Sequence, residues 1–182
     1  MSKLETNTID TISGTTNLTI GSTNSSTVTF ENGSPTGHMY PAFEAYLSAD
    51  QSLSDATTTK VQFNTEIFDT DNNYDNSTNY RFTPTVAGKY YVSSGLKLEA
   101  GSDVIQNVTL FIYKNGSSYK RSVFFTSTHQ PDAFDIINDA IIDMNGSSDY
   151  LEIFVYVDVS SGTPRCDADV KACHFKAYRI GA

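Results

Sequence analysis

Arg81-Phe82-Thr83-Pro84-Thr85-Val86-Ala87-Gly88-Lys89-Tyr90-Tyr91 closes a run that starts at Phe63, in which Phe63, Asp69, Tyr74, Phe82, Gly88 and Tyr90 punctuate strands and polar turns. Working outward, apolar residues alternate with polar ones at the period of a β-strand. Phe43, Ala45 and Leu47 share one face; Val61, Phe63 and Ile67 share another; Tyr90, Val92, Leu96 and Leu98 follow. Asn115-Gly116 is predicted to join a strand over 108–113 to one over 119–125, and Asn145-Gly146 to join 134–144 to 150–159. Asn-Gly pairs are strong hairpin signals because both residues tolerate positive φ.

The chain has 182 residues, 11 Tyr, 11 Phe, no Trp and only 18% charged residues. Aromatic and β-branched side chains suit a pleated, half-buried surface, so the expected class is all-β. No convincing helix is predicted. Twelve basic against 21 acidic residues give a net charge of −9, which repels the phosphate backbone that dominates nucleic-acid affinity. No stretch reaches the roughly 20 apolar residues of a membrane span, and no apolar segment of the signal-peptide kind follows Met1. Neither nucleic acid nor membrane insertion is expected.

Residues 1–37 are rich in Thr, Asn, Ser and Gly, with apolar residues only in pairs: Ile9 and Ile12, Leu18 and Ile20, Val28 and Phe30. Such pairs bury too little to fold alone, so this segment reads as a flexible linker or as a thin β-type stalk wound with identical copies. The residues favour the stalk. The head is expected over 38–182.

The punctuated run resembles the signature of the globular head of complement component 1q, which shares a trimeric jelly roll with the tumour necrosis factor ligands. An aromatic, an Asn or Asp, two more aromatics and a Gly-x-Tyr recur in that family at nearly these intervals. This chain has one extra residue between Tyr74 and Phe82, and Val92 and Ser94 where aromatics are common. The final strand, His174-Phe175-Lys176-Ala177-Tyr178-Arg179-Ile180-Gly181, resembles the closing strand of such heads. The resemblance implies an antiparallel jelly-roll sandwich, a homotrimer, and a binding module in place of an enzyme.

Two strands bear on assembly. Over 150–159, Leu151, Ile153, Val155 and Val157 oppose Phe154 and Tyr156; over 108–113, Val108, Leu110 and Ile112 oppose Phe111 and Tyr113. A lone sandwich strand should be apolar inside and polar outside, so the stripe marks a chain that is not monomeric; the resemblance implies a trimer, with Phe111, Tyr113, Phe154, Tyr156 and Tyr178 as its expected interface. Cover by a loop or by the N-terminal segment, or tolerance of tyrosine hydroxyls at the surface, is the other reading of the same stripe.

Chemistry finds few anchors. Asp69, Asp71, Asn73 and Asp75 offer oxygens at alternate positions as a calcium loop does, but Tyr74 and Tyr80 stand where an EF-hand needs Gly and Glu. A polar loop between strands is the favoured reading. Cys166 and Cys173 could close a small disulfide or stay as separate thiols, the latter favoured. No Gly-x-Ser-x-Gly elbow, phosphate loop or cofactor motif occurs, and His129 sits in an expected loop.

Heads of the resembled family occur on secreted animal proteins, bacterial spore filaments and viral fibres. With no Gly-x-y repeat and a Thr/Asn/Ser stalk, the expectation is a bacteriophage fibre or spike at the virion surface, adhering to a host glycan or protein. The alternatives are a capsid or tail decoration protein docked to other virion proteins through 1–37, or a bacterial surface or spore-filament head. Candidate contact loops are 48–58, 69–79, 127–133 and 158–169.

Overall fold

A computed structural model describes residues 41–101, 103–125, 130–169 and 172–181. The expected stalk over 1–37 and His129 lie outside the described residues. The strands in chain order are β1 (Ala42–Tyr46), β2 (Gln51–Ser52), β3 (Thr57–Lys60), β4 (Thr65–Asp69), β5 (Tyr74–Asp75), β6 (Arg81–Phe82), β7 (Gly88–Glu99), β8 (Ile105–Lys114), β9 (Ser117–Phe125), β10 (Ala133–Met144), β11 (Leu151–Val159), β12 (Arg165–Cys166) and β13 (His174–Gly181).

They form two antiparallel sheets. The first runs β2-β12-β7-β13-β1-β4, with β10 on the other edge of β7; the second runs β5-β6-β11-β8-β9, with β3 also on β11. Two interleaved long-range ladders build the sandwich: β7 with β10, from Gly88↔Met144 to Glu99↔Ala133, and β8 with β11, centred on Phe111↔Phe154. The chain therefore crosses between sheets from β7 to β8, β9 to β10 and β10 to β11, as in a jelly roll. Among the described residues no helix is present.

The alternation seen in the sequence fills the space between the sheets. Phe43, Tyr90, Val92, Leu96, Leu98 and Phe175 from one sheet meet Val108, Leu110, Ile112, Leu151, Ile153 and Val155 from the other, all at most 1% exposed. Asn138 is the buried polar member at the β9/β10 edge. Its amide donates to the carbonyls of Leu110 and Lys120 at 3.1 Å each, tying β10 to the opposite sheet without leaving an unmet donor. Phe124 stacks on Phe134 at 3.9 Å to close the same edge.

Both Asn-Gly turns fall where expected. Asn115 and Gly116 have φ of 53° and 76° between β8 and β9, and Gly146 has φ 69° between β10 and β11. Ile67 departs from expectation: it is 54% exposed, not in the Val61 and Phe63 core. The ladder between β1 and β4 shifts register at Glu44/Ala45, and a one-residue slip turns a side chain to the other face.

Candidate functional site

The punctuating residues converge at one end of the sandwich. Phe63, Phe82 and Tyr90 are fully buried and Tyr74 nearly so. Phe43 stacks on Tyr74 at 4.7 Å and on Phe82 at 4.5 Å, and meets Phe175 edge-on at 4.9 Å. The Tyr74 hydroxyl donates to the Phe63 carbonyl at 2.9 Å, and burial pushes its pKa far above the ordinary tyrosine value, so it stays a donor. Tyr90 donates likewise to the Val86 carbonyl at 2.8 Å. Gly88 has φ 143°, and a Cβ there would lie 2.2 Å from the Gly181 carbonyl oxygen; only glycine lets β7 start so close to the end of β13.

This cluster anchors the polar segment 69–85. Asp69 accepts from the Tyr74 backbone N–H at 2.7 Å and the Asp71 N–H at 3.2 Å. Asp75 accepts from the N–H groups of Ser77, Thr78 and Asn79, from the Ser77 hydroxyl and from the Asn79 amide. The N–H of Thr78 leads these contacts, which hold the Asp75 pKa well below the usual carboxylate range. The calcium candidates Asp69, Asp71, Asn73 and Asp75 thus do not converge. Asp69 and Asp75 serve as turn brackets, and among the described residues no group of three or more His, Cys, Asp or Glu could hold a metal ion.

An open groove of about 720 Å³ runs along this segment, walled by Glu66, Asn72, Asn73, Asp75, Arg81 and Thr85, among others. Asn73 is 9% exposed, and its Nδ2 has no hydrogen-bond partner. The Arg81 guanidinium lies 4.6 Å over the Tyr150 ring. Burial, then the nearby Asp69 charge, raises the Glu66 pKa. Asn72 and Tyr80 hold φ of 54° and 50°, a left-handed backbone that is uncommon for a residue as bulky as tyrosine.

The expected interface residues fall on two surfaces. Phe111, Tyr113, Phe154 and Tyr156 stand on the outward face of the β5-β6-β11-β8-β9 sheet but are half-buried among one another. Phe154 stacks on Tyr113 at 4.3 Å, Tyr113 meets Phe111 edge-on at 5.8 Å, and the Lys60 ammonium lies 5.5 Å from the Phe154 ring centre. Lys60 in turn pairs with Glu152, itself only 6% exposed. The stripe is therefore partly covered within the chain. Tyr178, on the outward face of the other sheet, is 48% exposed.

Larger exposures gather elsewhere. On the β9/β10 edge, Phe125 is 72%, Ile137 63%, Ile141 58% and Val123 56% exposed. The outward face of the sheet is continuous with β10: Ile141 stands opposite Tyr91 in the ladder, Tyr178 lies beside Tyr91 at 5.4 Å, and Ile180 on β13 and Phe68 on β4 are also exposed. Sequence reasoning missed the edge because Ile137 and Ile141 alternate with Asp135, Asp139 and Asp143 and read as ordinary strand residues. It also left the four contact loops unranked; Asn73, Arg81 and Thr85 were legible only as strand and turn positions.

Cys166 and Cys173 are buried free thiols. The Cys173 thiol donates to the Asp167 carbonyl at 2.8 Å, and burial raises both pKa values, which makes poor nucleophiles. The 158–169 loop beside them is pinned by Arg165 to Asp50 and Glu99 and by Lys97 to Asp167. Ser93 and His174 meet at 3.3 Å, but burial lowers the His174 pKa, with Lys176 adding to the effect.

No protein-family model matches the chain, and no curated protein matches it. Solved structures do. The globular domain of the zebrafish complement 1qA protein aligns with TM-score 0.53 and 14% identity, over 78% of this chain and 97% of that one. Murine APRIL aligns with TM-score 0.57 and 9% identity, over 78% of this chain and 99% of that one. At these identities the likeness establishes the fold: an all-β, antiparallel jelly roll of the complement component 1q and tumour necrosis factor type.

Proposed function

We propose that this chain is the binding head of a virion fibre or spike, assembled as a homotrimer and displaying loops that adhere to a host surface glycan or protein. One observation carries the assembly: the exposed apolar side chains divide between the outward face of the sheet holding β10, β7 and β13, where Ile141, Tyr91 and Tyr178 stand side by side, and β9 at the edge of the other sheet, which carries Val123 and Phe125. Two unlike patches call for a head-to-tail contact, in which Val123 and Phe125 of one copy cover Ile141, Tyr91 and Tyr178 of the next. Such a contact makes a closed ring when the rotation closes, and three copies is what the resembled family implies. Large exposed apolar patches mark interfaces. Three identical sites then add by avidity where each alone is weak.

The Thr/Asn/Ser composition of residues 1–37 and the absence of Gly-x-y repeats support the fibre setting. The same architecture accommodates a binding role without a catalytic constellation among the described residues.

Light scattering on dilute protein tests the assembly. The expected mass is three times the 20.0 kDa of the chain. Ile141→Asp should reduce it to one chain while the far-ultraviolet spectrum stays that of a β protein, because a desolvated unpaired carboxylate is costly at an interface. Phe154→Asp should leave the mass unchanged. The reverse pattern would put the interface on the aromatic stripe of the other sheet, and a single-chain mass for the unaltered protein would end the trimer reading. Adhesion is tested by glycan-array binding, which should fall steeply in the Ile141→Asp monomer through lost avidity.

A further inference from the structure

The geometry points to the groove along 69–85 as the binding site of a neutral saccharide. This inference rests on the adhesion reading and names its ligand class and its place on the head.

Four observations converge there. The volume, about 720 Å³, lies within the range of small-ligand sites, yet the wall is carboxamide, hydroxyl and charge where drug-like sites are apolar. A ligand that fits must bring many hydroxyls. Next, the groove holds donors that the chain does not use. Asn73 Nδ2 is buried without a partner, a state that native structures rarely tolerate and that calls for an explanation. The Arg81 guanidinium makes no ion pair among the described residues and lies over the Tyr150 ring.

Charge then narrows the ligand. Glu66 and Asp75 outnumber Arg81 in the wall, and Asp69 and Asp71 lie just beyond it. The field therefore opposes an anionic sugar. A cation fares no better, because the Asp75 oxygens are already occupied by five donors. A neutral polyol, which donates to Glu66 and accepts from Arg81, suits both of these groups, and the buried Asn73 amide joins them when its side chain turns outward to the ligand. Lastly, the backbone at Asn72 and Tyr80 is held left-handed, and such strain persists where the surroundings fix a functional shape.

The test is a titration of the isotope-labelled full chain with lactose, maltose and chitobiose, with sialyllactose and calcium chloride as contrasts, read by amide chemical shifts. At least one neutral disaccharide should shift amides within 66–85 and leave the rest of the head unmoved. Thr85→Trp, which fills the exposed rim, should abolish those shifts. Asn73→Ala should weaken binding by roughly threefold to tenfold, the range of one neutral hydrogen bond, without lowering the thermal midpoint, since the lost donor had no partner in the free protein. Preference for sialyllactose or calcium overturns the inference, as do shifts confined to another region or a large loss of stability in Asn73→Ala. If the head adheres to glycans or cells and Thr85→Trp adheres equally, the adhesion reading stands and the groove falls. If neither these probes nor a broad glycan panel binds, the groove inference falls, and the adhesion reading falls with it where the head also fails to adhere to cells.

Discussion

The long ladders and the shoulder over 65–85 achieve order by different means. In β7, β8, β10 and β11, nine to twelve residues each pair along their lengths and alternate inward and outward; apolar burial on one face sets their register. The shoulder has only β4, β5 and β6, of five, two and two residues. Its path is fixed by side chains that bracket backbone N–H groups, Asp69 and Asp75 above all, and by aromatic rings pressed on Phe43. Burial makes the ladders tolerant of any apolar residue of suitable size. Brackets make the shoulder tolerant of any side chain that leaves the bracket in place, which is the freedom a binding surface uses.

The change that should cost most strikes the joint between the two. Phe43 belongs to β1 but stacks on Tyr74 and Phe82 of the shoulder and on Phe175 of β13. Phe43→Ala leaves a cavity that four strands cannot collapse to fill, and the expected loss is about 3–5 kcal/mol. Urea unfolding at one fixed protomer concentration measures it, since assembly contributes to apparent stability. A loss below about 1 kcal/mol would mean that the shoulder packs independently of the ladders.

A bracket should cost less and act locally. Asp75→Ala frees three backbone N–H groups, but water reaches much of that site, so the expected loss is about 1–2 kcal/mol, the scale of a lost helix cap or a lost charge-assisted bond. Hydrogen exchange should quicken over 74–80 and leave β7 and β10 untouched. Uniform quickening would show that the bracket supports the whole head.

The same contrast explains what could be read from the chain alone. The ladders were legible because period two is a local pattern, and Asn115-Gly116 announces its turn through backbone conformations that few residues adopt. The fate of Ile67 was not, because the register shift that exposes it is set by β1, distant in sequence. Phe154 and Tyr156 were legible as outward-facing, yet their partial cover comes from Lys60 on β3, a pairing no periodicity encodes. The calcium-like spacing of Asp69 to Asp75 was read chiefly as a polar loop for a related reason: spacing gives oxygens, while only the fold decides that those of Asp69 and Asp75 turn toward backbone N–H groups. Asn73 was legible only as one oxygen of that alternating run, since an unmet amide exists only once its neighbours are placed.

The smallest expected effect separates the two regions by acid. His174 lies on β13, within the ladder side, its Nε2 3.3 Å from the Ser93 hydroxyl, with its ring so close over Gly95 that a Cβ there would sit 2.7 Å from Cε1. Burial first, and the Lys176 charge second, lower its pKa from 6.5, against weaker opposing effects of Glu44 and the Ala172 backbone. The unfolded chain therefore takes up the proton before the folded one does, and stability contributed by neutral His174 is present above about pH 6.5 and is lost as pH falls below it. Asp75 has the opposite placement on the scale: its pKa is depressed below 3.8, so its contribution is complete above that value and disappears only in much stronger acid. Between about pH 7 and pH 5.5, protection relative to the intrinsic exchange rate at each pH should fall slightly in β7 and β13 while 74–80 keeps its protection. His174→Gln, which preserves a hydrogen-bonding partner for Ser93, should remove the slope in that window. If the outward face of β7 and β13 is the subunit contact, assembly buries His174 further, and the slope should be steeper in the assembled protein than in the Ile141→Asp monomer; equal slopes would place that face outside the interface.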